Sequence, residues 1–138
     1  MIIYVNGQDI ARLVLGTLTD GQWAQEPVVF EIRPEAYLQG LEAFLQQNNL
    51  SRTDIRGFVL VQGPGSATAL RTSHALVNAL AFALGVEVVP VEKSSDEEDR
   101  NIVHRLTELE SRTFVLPTYE REAQITEPNR DALKRKFV

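Results

Sequence analysis

Short apolar runs alternate with polar turn residues over the first third of the chain, a pattern typical of antiparallel strands. Met1–Val5 is apolar and rich in β-branched residues, and the Asn6-Gly7 pair after it favours a tight hairpin turn. Ala11–Leu18 resumes the apolar pattern, and Asp20-Gly21 marks a second turn before Val28–Ile32. We therefore predict three consecutive antiparallel strands ahead of the first helix.

The apolar spacing changes to a helical period at Pro34, a residue that suits the first turn of a helix. A helix is predicted over residues 34–48. Its apolar side should lie on the sheet and holds Tyr37, Leu38, Leu41, Phe44 and Leu45. A second stripe has small side chains that let another helix approach, or is ordinary surface; it consists of Ala36, Gly40, Ala43 and Gln47.

A buried strand, a glycine-rich turn and a long helix follow. Phe58–Val61 is continuously apolar, as expected of a strand covered on both faces. The turn is formed by Gly63, Pro64, Gly65 and Ser66. Ser66 suits the N-cap of a helix that Gly85 terminates, and Val86–Val91 is a second buried strand. Strand, helix and strand with short links predict a parallel pair with a right-handed crossover.

The last third of the chain predicts a third helix, a short strand and a tail. Ser94-Ser95 followed by Glu97-Glu98 suggests a capping box and an acidic first turn. The apolar stripe of this helix comprises Ile102, Val103, Leu106 and Leu109. Thr113–Leu116 is interpreted as a last short strand, after which the pattern loses its period.

The order of these elements, βββαβαβα, predicts an α/β fold with a mixed five-stranded sheet of the ribonuclease-H-like type. We predict a domain over residues 1–116 and an extended C-terminal arm over residues 117–138. With 138 residues, 43% of them hydrophobic, the chain suits one packed domain. The longest apolar run, Ala75–Leu84, is too short to cross a membrane, so we expect a cytoplasmic protein without membrane association.

Charge and composition narrow the possible chemistry. A net charge of -5 argues against a surface built mainly for nucleic acid, because phosphate contacts need clustered Lys and Arg. The absence of cysteine excludes disulfides and thiolate zinc sites. His74 and His104 lack metal-binding spacing, and we assign them core-packing or helix-surface roles. The acidic residues near Glu97 are explained by the helix dipole alone.

The glycine-rich turn has two interpretations. It could hold an anion at the N-terminus of the following helix, but it contains no lysine, and we interpret it as a structural turn. A ribonuclease-H nuclease needs several carboxylates converging on metal, one of them from the first strand, where this chain has Asn6. We therefore predict no catalytic residue, no metal and no cofactor.

The nine residues of this turn, GPGSATALR, together with the strand before it and the alanine-rich helix after it, carry a family pattern. The positions that match are Gly63, Pro64, Gly65, Ser66, Thr68, Leu70 and Arg71. Through these positions and the later strand that ends near Val-Pro-Val, the segment Asp54–Glu92 resembles the TsaB (YeaZ) family. Members of this family are bacterial partner proteins in threonylcarbamoylation of adenosine in tRNA. Ala67 and Ala69 replace the family's usual Phe and Gly. Pro117–Arg121 is similar to the arm that closes the family.

Two departures from the family pattern bear on nucleotide binding. The family opens with a strand leading into Asp-Thr-Ser, similar to the phosphate loop of the actin and sugar-kinase superfamily, whereas this chain has Asn6-Gly7-Gln8. Family members usually carry a second, related domain, and the chain after Glu92 is too short for one. The resemblance therefore implies a single lobe of the superfamily fold that binds ATP poorly.

The helix over residues 67–84 carries the main functional hypothesis. Its sheet-facing side holds Leu70, Val77, Leu80, Ala81 and Leu84. The opposite side is also largely apolar and is predicted to be an interface; it holds Arg71, Thr72, Ala75, Asn78, Ala79 and Phe82. In a chain this small we expect another protein to cover this outer side of the helix. The alternative is that the third helix or the tail of the same chain covers it.

The resemblance points to the same helix, since the family pairs through its first two helices with itself or with its catalytic relative TsaD. It implies a non-catalytic subunit that forms a homodimer when alone and docks a TsaD-type enzyme. A TsaE-type ATPase is a further candidate partner, and tRNA is contacted only indirectly. We interpret the basic tail residues Arg130, Lys134, Arg135 and Lys136 as a solvated end. The alternative is a nucleotide-binding or hydrolysing enzyme of the same superfamily.

Overall fold

Five strands form one mixed sheet in the computed structural model, which describes residues 1–118, the side chains of Thr107 and Glu108 excepted. The strands are β1 (Ile2–Asn6), β2 (Leu13–Thr19), β3 (Gln22–Phe30), β4 (Gly57–Gly63) and β5 (Glu87–Glu92). Their order across the sheet is β3-β2-β1-β4-β5. The first three pair antiparallel, and β4 pairs parallel with both β1 and β5. This arrangement confirms the predicted mixed sheet and its parallel crossover.

Two helices lie against one face of the sheet. A 3₁₀ turn at Pro34–Ala36 leads into α1 (Tyr37–Gln47), so the predicted helix begins with a 3₁₀ turn. The second helix, α2 (Ala67–Leu84), has the predicted bounds. The Ser66 hydroxyl oxygen accepts a hydrogen bond from the Ala69 amide at 3.3 Å, and Gly85 ends α2 with a left-handed φ of 67°, as a glycine readily does.

The core beneath these helices follows the alternation of the strands. Ile3 and Val5 of β1 point toward α1 and α2, whereas Tyr4 points to the opposite face. Phe44 of α1 and Val77 of α2 are buried in the first cluster. The prediction was wrong for Leu38, which is exposed because it lies at the rim of the apolar arc of α1.

The third predicted helix differs from the expectation in type and start. It is a 3₁₀ helix at Asp99–Glu108, and its N-cap, Glu98, makes no side-chain capping bond. The capping box expected at Ser94-Ser95 is therefore wrong. The start is set instead by Asp99, whose carboxylate accepts hydrogen bonds from Tyr4 and Asn6. The helix covers the second face of the sheet, with Ile102 fully buried.

The segment Arg112–Thr118, called the strap below, is not the predicted strand. It makes a single antiparallel bridge, between Arg112 and Val88. Beyond that bridge its backbone is held mainly by side chains: Asn78 bonds Val115, and the Gln62 side-chain amide donates to the Leu116 carbonyl. The Thr118 amide adds one backbone bond, to the Gln62 carbonyl at 2.7 Å. These separate bonds do not form the continuous ladder that a strand needs.

The remaining predictions for the C-terminal end lie outside the described residues. These are the arm from residue 119 onward and the basic cluster of the tail. The division into residues 1–116 and 117–138 stays a prediction. Within residues 1–118, no helix is long and apolar enough to span a bilayer.

Candidate functional site

The outer side of α2, predicted as an interface, is open in the described part of the chain. Phe82 is 87% exposed, and Ala75, Ala79 and Arg71 are exposed beside it. Thr72 is half-buried, and its hydroxyl donates to the Thr68 carbonyl of the same helix at 2.9 Å. Because that polar group is satisfied within α2, the helix presents mainly apolar surface to its surroundings.

Asn78, also predicted at this interface, has a partner within the chain. Its amide nitrogen donates to the Val115 carbonyl at 2.8 Å, and its carbonyl oxygen accepts from the Val115 amide at 2.9 Å. The side chain therefore pairs like a strand residue with the strap and fixes the strap across α2.

The strap brings two further apolar side chains to the surface, which sequence reasoning missed. Phe114 is 57% exposed and Leu116 is 65% exposed, while Val115 between them is buried. Asn78, which holds Val115, lies one helical turn from Phe82 on α2. The alternation of Phe114, Val115 and Leu116 was visible in the sequence, but a strand interpretation gave no reason to place it beside α2.

The small-residue stripe of α1 is divided between core and surface. Gly40 is buried, and a Cβ there would lie 2.5 Å from the Cδ1 of Ile32. Ala36 and Ala43 are half-buried, and Gln47 is exposed. Gly40 therefore serves internal packing, and α2 presents the larger open surface.

The glycine-rich turn is packed against two other segments. A Cβ on Gly63, whose φ is 143°, would lie 1.8 Å from the Thr118 carbonyl oxygen, and a Cβ on Gly65 would lie 2.6 Å from that of Gln8. The Ser66 amide donates to the Gln8 carbonyl at 2.8 Å. Close approach of backbone to backbone explains both glycines of the motif.

A cleft of about 550 Å³ opens beside this turn, at the carboxyl ends of the parallel strands, where α/β sheets commonly bind ligands. Its walls are formed by polar groups and a few apolar side chains: Asn6, Gln8, Asp9, Ile10, Arg12, Val14, Val29, Pro64, Gly65, Ser66, Lys93, Ser95, Glu97 and Asp99. The turn itself has no lysine, but Lys93 supplies one from the end of β5. Sequence reasoning missed it although the parallel pairing of β4 and β5 places the residue after β5 beside the turn.

A chain of hydrogen bonds connects the cleft residues. Asn6 donates to the Asp99 carboxylate at 2.6 Å and accepts from the Gln8 amide at 2.9 Å. The Gln8 side chain donates to the carbonyls of Pro64 and Lys93 and accepts from the Lys93 ammonium at 3.3 Å. Burial, followed by the Asp99 charge, raises the pKa of Tyr4, so its hydroxyl remains a donor to that carboxylate.

The remaining titratable groups near the cleft form ordinary surface contacts. The Ala11 backbone amide, assisted by Arg12, holds the pKa of Asp9 below its usual value. Glu97 pairs with Arg105, and Glu98 pairs with Arg100 at 2.9 Å. Within residues 1–118, no three His, Cys, Asp or Glu side chains are grouped so that they could hold a metal ion.

The two histidines occupy different environments. His104 is exposed on the 3₁₀ helix. His74 is buried, with Nδ1 2.7 Å from the Leu70 carbonyl oxygen and with Nε2 unpartnered among the described residues. Burial lowers the pKa of His74. The protein therefore favours a neutral His74 imidazole in the core.

Comparison with solved structures defines the fold class. YeaZ from Pseudomonas aeruginosa superimposes with a TM-score of 0.56 at 20% identity, over 66% of this chain and 43% of that one. An uncharacterized protein with similarity to peptidase YeaZ from the same organism gives a TM-score of 0.56 at 20% identity, over 66% and 42%. The protein is thus an α/β protein with the ribonuclease-H-like fold of YeaZ.

Sequence comparison narrows this class. Residues 35–95 match the family model of TsaD, tRNA N6-adenosine threonylcarbamoyltransferase. An enzyme of that name from Geotalea uraniireducens is 38% identical over an alignment of 68 residues, and the match covers 46% of this chain and 20% of the enzyme. Within its fold class the chain is therefore similar to TsaD over residues 35–95, a range that includes the pattern from Gly63 to Arg71. It spans less than half the length of these relatives.

Proposed function

We propose that this protein is a non-catalytic subunit in threonylcarbamoylation of adenosine in tRNA and that it docks a TsaD-type enzyme through α2. The observation that carries the proposal is the open outer side of α2, where Phe82 near the C-terminal end of the helix is 87% exposed. The match to TsaD-type sequences and the YeaZ fold support the choice of pathway.

The energetics favour a protein as the cover of this surface. Burial of a phenylalanine side chain contributes about 1.5–3 kcal/mol, and large exposed aromatic side chains are typical anchors of interfaces. Arg71 is the one charged residue of α2, so little charge needs to be desolvated when the helix docks. Phe114 and Leu116 of the strap are also exposed, on either side of the Val115 that Asn78 of α2 holds.

The cleft supports a role without catalysis. Its Asn6 amide is engaged by Asp99 and Gln8, and its Lys93 ammonium is engaged by Gln8 and Ser94. These side chains bond to one another and leave no activated nucleophile or paired acid and base at the end of β1. We propose no catalytic residue and no cofactor.

The proposed assembly follows from the same surface. Alone, the protein forms a homodimer through the helices, and the TsaD-type enzyme replaces the second copy. A TsaE-type ATPase joins the complex as a further partner, and tRNA is reached only through the enzyme. The complex works in the cytoplasm.

The docking proposal is tested by one substitution on the helix and one away from it. Phe82→Asp places a charge on the most exposed large apolar residue of the proposed interface, whereas Val29→Asp changes an exposed apolar residue on β3. Co-purification with a recombinant TsaD-type enzyme should be lost in Phe82→Asp and retained in Val29→Asp. Equal retention by both variants contradicts docking through α2.

The alternative function, nucleotide binding or hydrolysis, is favoured by one observation: the cleft lies at the carboxyl ends of the parallel strands. We expect no heat of ATP binding when the isolated protein is titrated at micromolar concentrations, because the cleft groups are already bonded to one another. Saturable binding of ATP in that calorimetric titration contradicts the non-catalytic role and favours the alternative.

A further inference from the structure

The cleft contains a buried cation that has no carboxylate within ion-pair distance among the described residues. Lys93 is only 4% exposed, and its ammonium contacts the Gln8 side-chain carbonyl at 3.3 Å and the Ser94 backbone carbonyl at 3.0 Å. Taking an ammonium out of water is costly unless other groups stabilise its charge. The dipoles of the Gln8 and Ser94 carbonyls provide part of the stabilisation that the buried ammonium charge needs.

The oxygens around this ammonium are of the kind that hard divalent cations use. Amide and backbone carbonyls, together with carboxylates, are the usual ligands of Ca²⁺, Mg²⁺ and similar ions. Besides the two carbonyl oxygens on Lys93, the cleft is lined by Asp99 and Glu97. Asp99 accepts hydrogen bonds from Tyr4 and Asn6 and lies outside ion-pair distance of any described cation. The cleft thus combines an oxygen-rich wall with the buried Lys93 ammonium. Among the described residues Arg12 also lines the cleft, but it is more than half exposed and pairs with Asp9, and Glu97 pairs with Arg105.

We propose that the Lys93 ammonium is the built-in cation of this cleft: it holds the carbonyl oxygens of Gln8 and Ser94 and keeps divalent metal ions out. Gln8 orients the lysine, because its amide nitrogen donates to the carbonyls of Pro64 and Lys93 while its oxygen accepts from the ammonium. Removal of the ammonium leaves an oxygen-lined space of net negative charge that accepts a divalent ion.

The test compares Mn²⁺ binding to the wild-type protein, Lys93→Ala and Lys93→Arg by calorimetry. Lys93→Ala removes the charge and opens the space, so its Mn²⁺ affinity should exceed that of the wild type by about tenfold or more. Lys93→Arg keeps a positive charge and should bind Mn²⁺ as poorly as the wild type. Fluorescence of Trp23, whose indole donates to the Arg100 carbonyl at 2.8 Å, reports whether each variant keeps its fold.

Two results overturn the proposal: wild-type protein that binds Mn²⁺ as tightly as Lys93→Ala, or folded Lys93→Ala without gained affinity. If Lys93→Ala does not fold, the proposal is tested on the wild-type protein by nuclear magnetic resonance. Its Gln8 side-chain amide signal should stay sharp as Mn²⁺ is added, and selective broadening of that signal contradicts an internal cation. Loss of TsaD docking plays no part in these readouts, so the docking proposal and the Lys93 proposal fail separately.

Discussion

Asn78 illustrates how one side chain determines the arrangement of a whole segment. Its amide makes both hydrogen bonds that a neighbouring strand would make to Val115, and this pairing turns Val115 inward and leaves Phe114 and Leu116 outward. A sequence pattern records that a residue is polar, but it does not record which backbone group the residue will meet. The strand assignment of the strap failed for this reason, and the interface role of Asn78 stays a prediction for a residue whose amide is already bonded within the chain.

At the residue scale, the buried His74 makes stability depend on pH. Burial lowers its pKa in the folded state. As the pH falls below about 6.5, the unfolded chain therefore takes up a proton more readily than the folded one, and the free energy of unfolding falls. In His74→Gln this contribution is absent, so chemical denaturation between about pH 7 and pH 5 should show a shallower loss of stability.

The exposed His104 provides the matched control for this prediction. His104→Gln removes a histidine from an exposed position and so controls for the loss of the side chain as such. A His74→Gln variant that loses as much stability as the wild type over the same range contradicts a buried neutral imidazole.

At the element scale, the bounds of α2 could be predicted because its ends are local features. Ser66 caps the first turn and Gly85 closes the last, and each acts within a few residues of its own position. The 3₁₀ helix at Asp99–Glu108 could not be placed in this way. Its start depends on Tyr4 and Asn6, more than ninety residues earlier, as the two hydrogen bonds to Asp99 show.

The candidate site also combines features that depend on nearby residues with features that depend on residues far apart in the sequence. Phe82 and its neighbours follow from the helical period, which places them opposite the sheet-facing side. Lys93 follows only from the register of β5 beside β4, where the Lys93 amide donates to the Gly63 carbonyl at 3.0 Å. Exposed positions on a single helix were therefore predictable, and the cleft that joins four segments was not.

The packing of the glycine-rich turn against the strap gives an element-scale prediction. Gly63→Ala places a Cβ against the Thr118 carbonyl at a backbone angle that only glycine tolerates well, so we expect a loss of about 3 kcal/mol in unfolding free energy. Gly21→Ala is the matched control: Gly21 also has a positive φ, of 76°, but its Cβ would meet open space. Its cost should be about 1 kcal/mol.

Urea denaturation of the two variants measures this difference directly. Equal losses in Gly63→Ala and Gly21→Ala would mean that backbone angle alone matters and that the strap is not packed on the turn.

At the scale of the whole molecule, both edges of the sheet disfavour pairing with another chain. On β5, Val88 is bonded to Arg112, Pro90 has no amide hydrogen, and the Glu92 carbonyl accepts from Arg105. On β3, Pro27 interrupts the row of donors. These features disfavour strand addition at the described edges, whereas the outer side of α2 is open in the described part of the chain.

The affinity of the protein for a TsaD-type enzyme, measured by titration calorimetry with and without Phe82→Asp, tests this docking account most directly. Loss of an anchoring aromatic and burial of a charge should weaken binding by about 30-fold or more, and Val29→Asp should leave the dissociation constant within about twofold of the wild type. A Phe82→Asp variant that binds as tightly as the wild type contradicts the account.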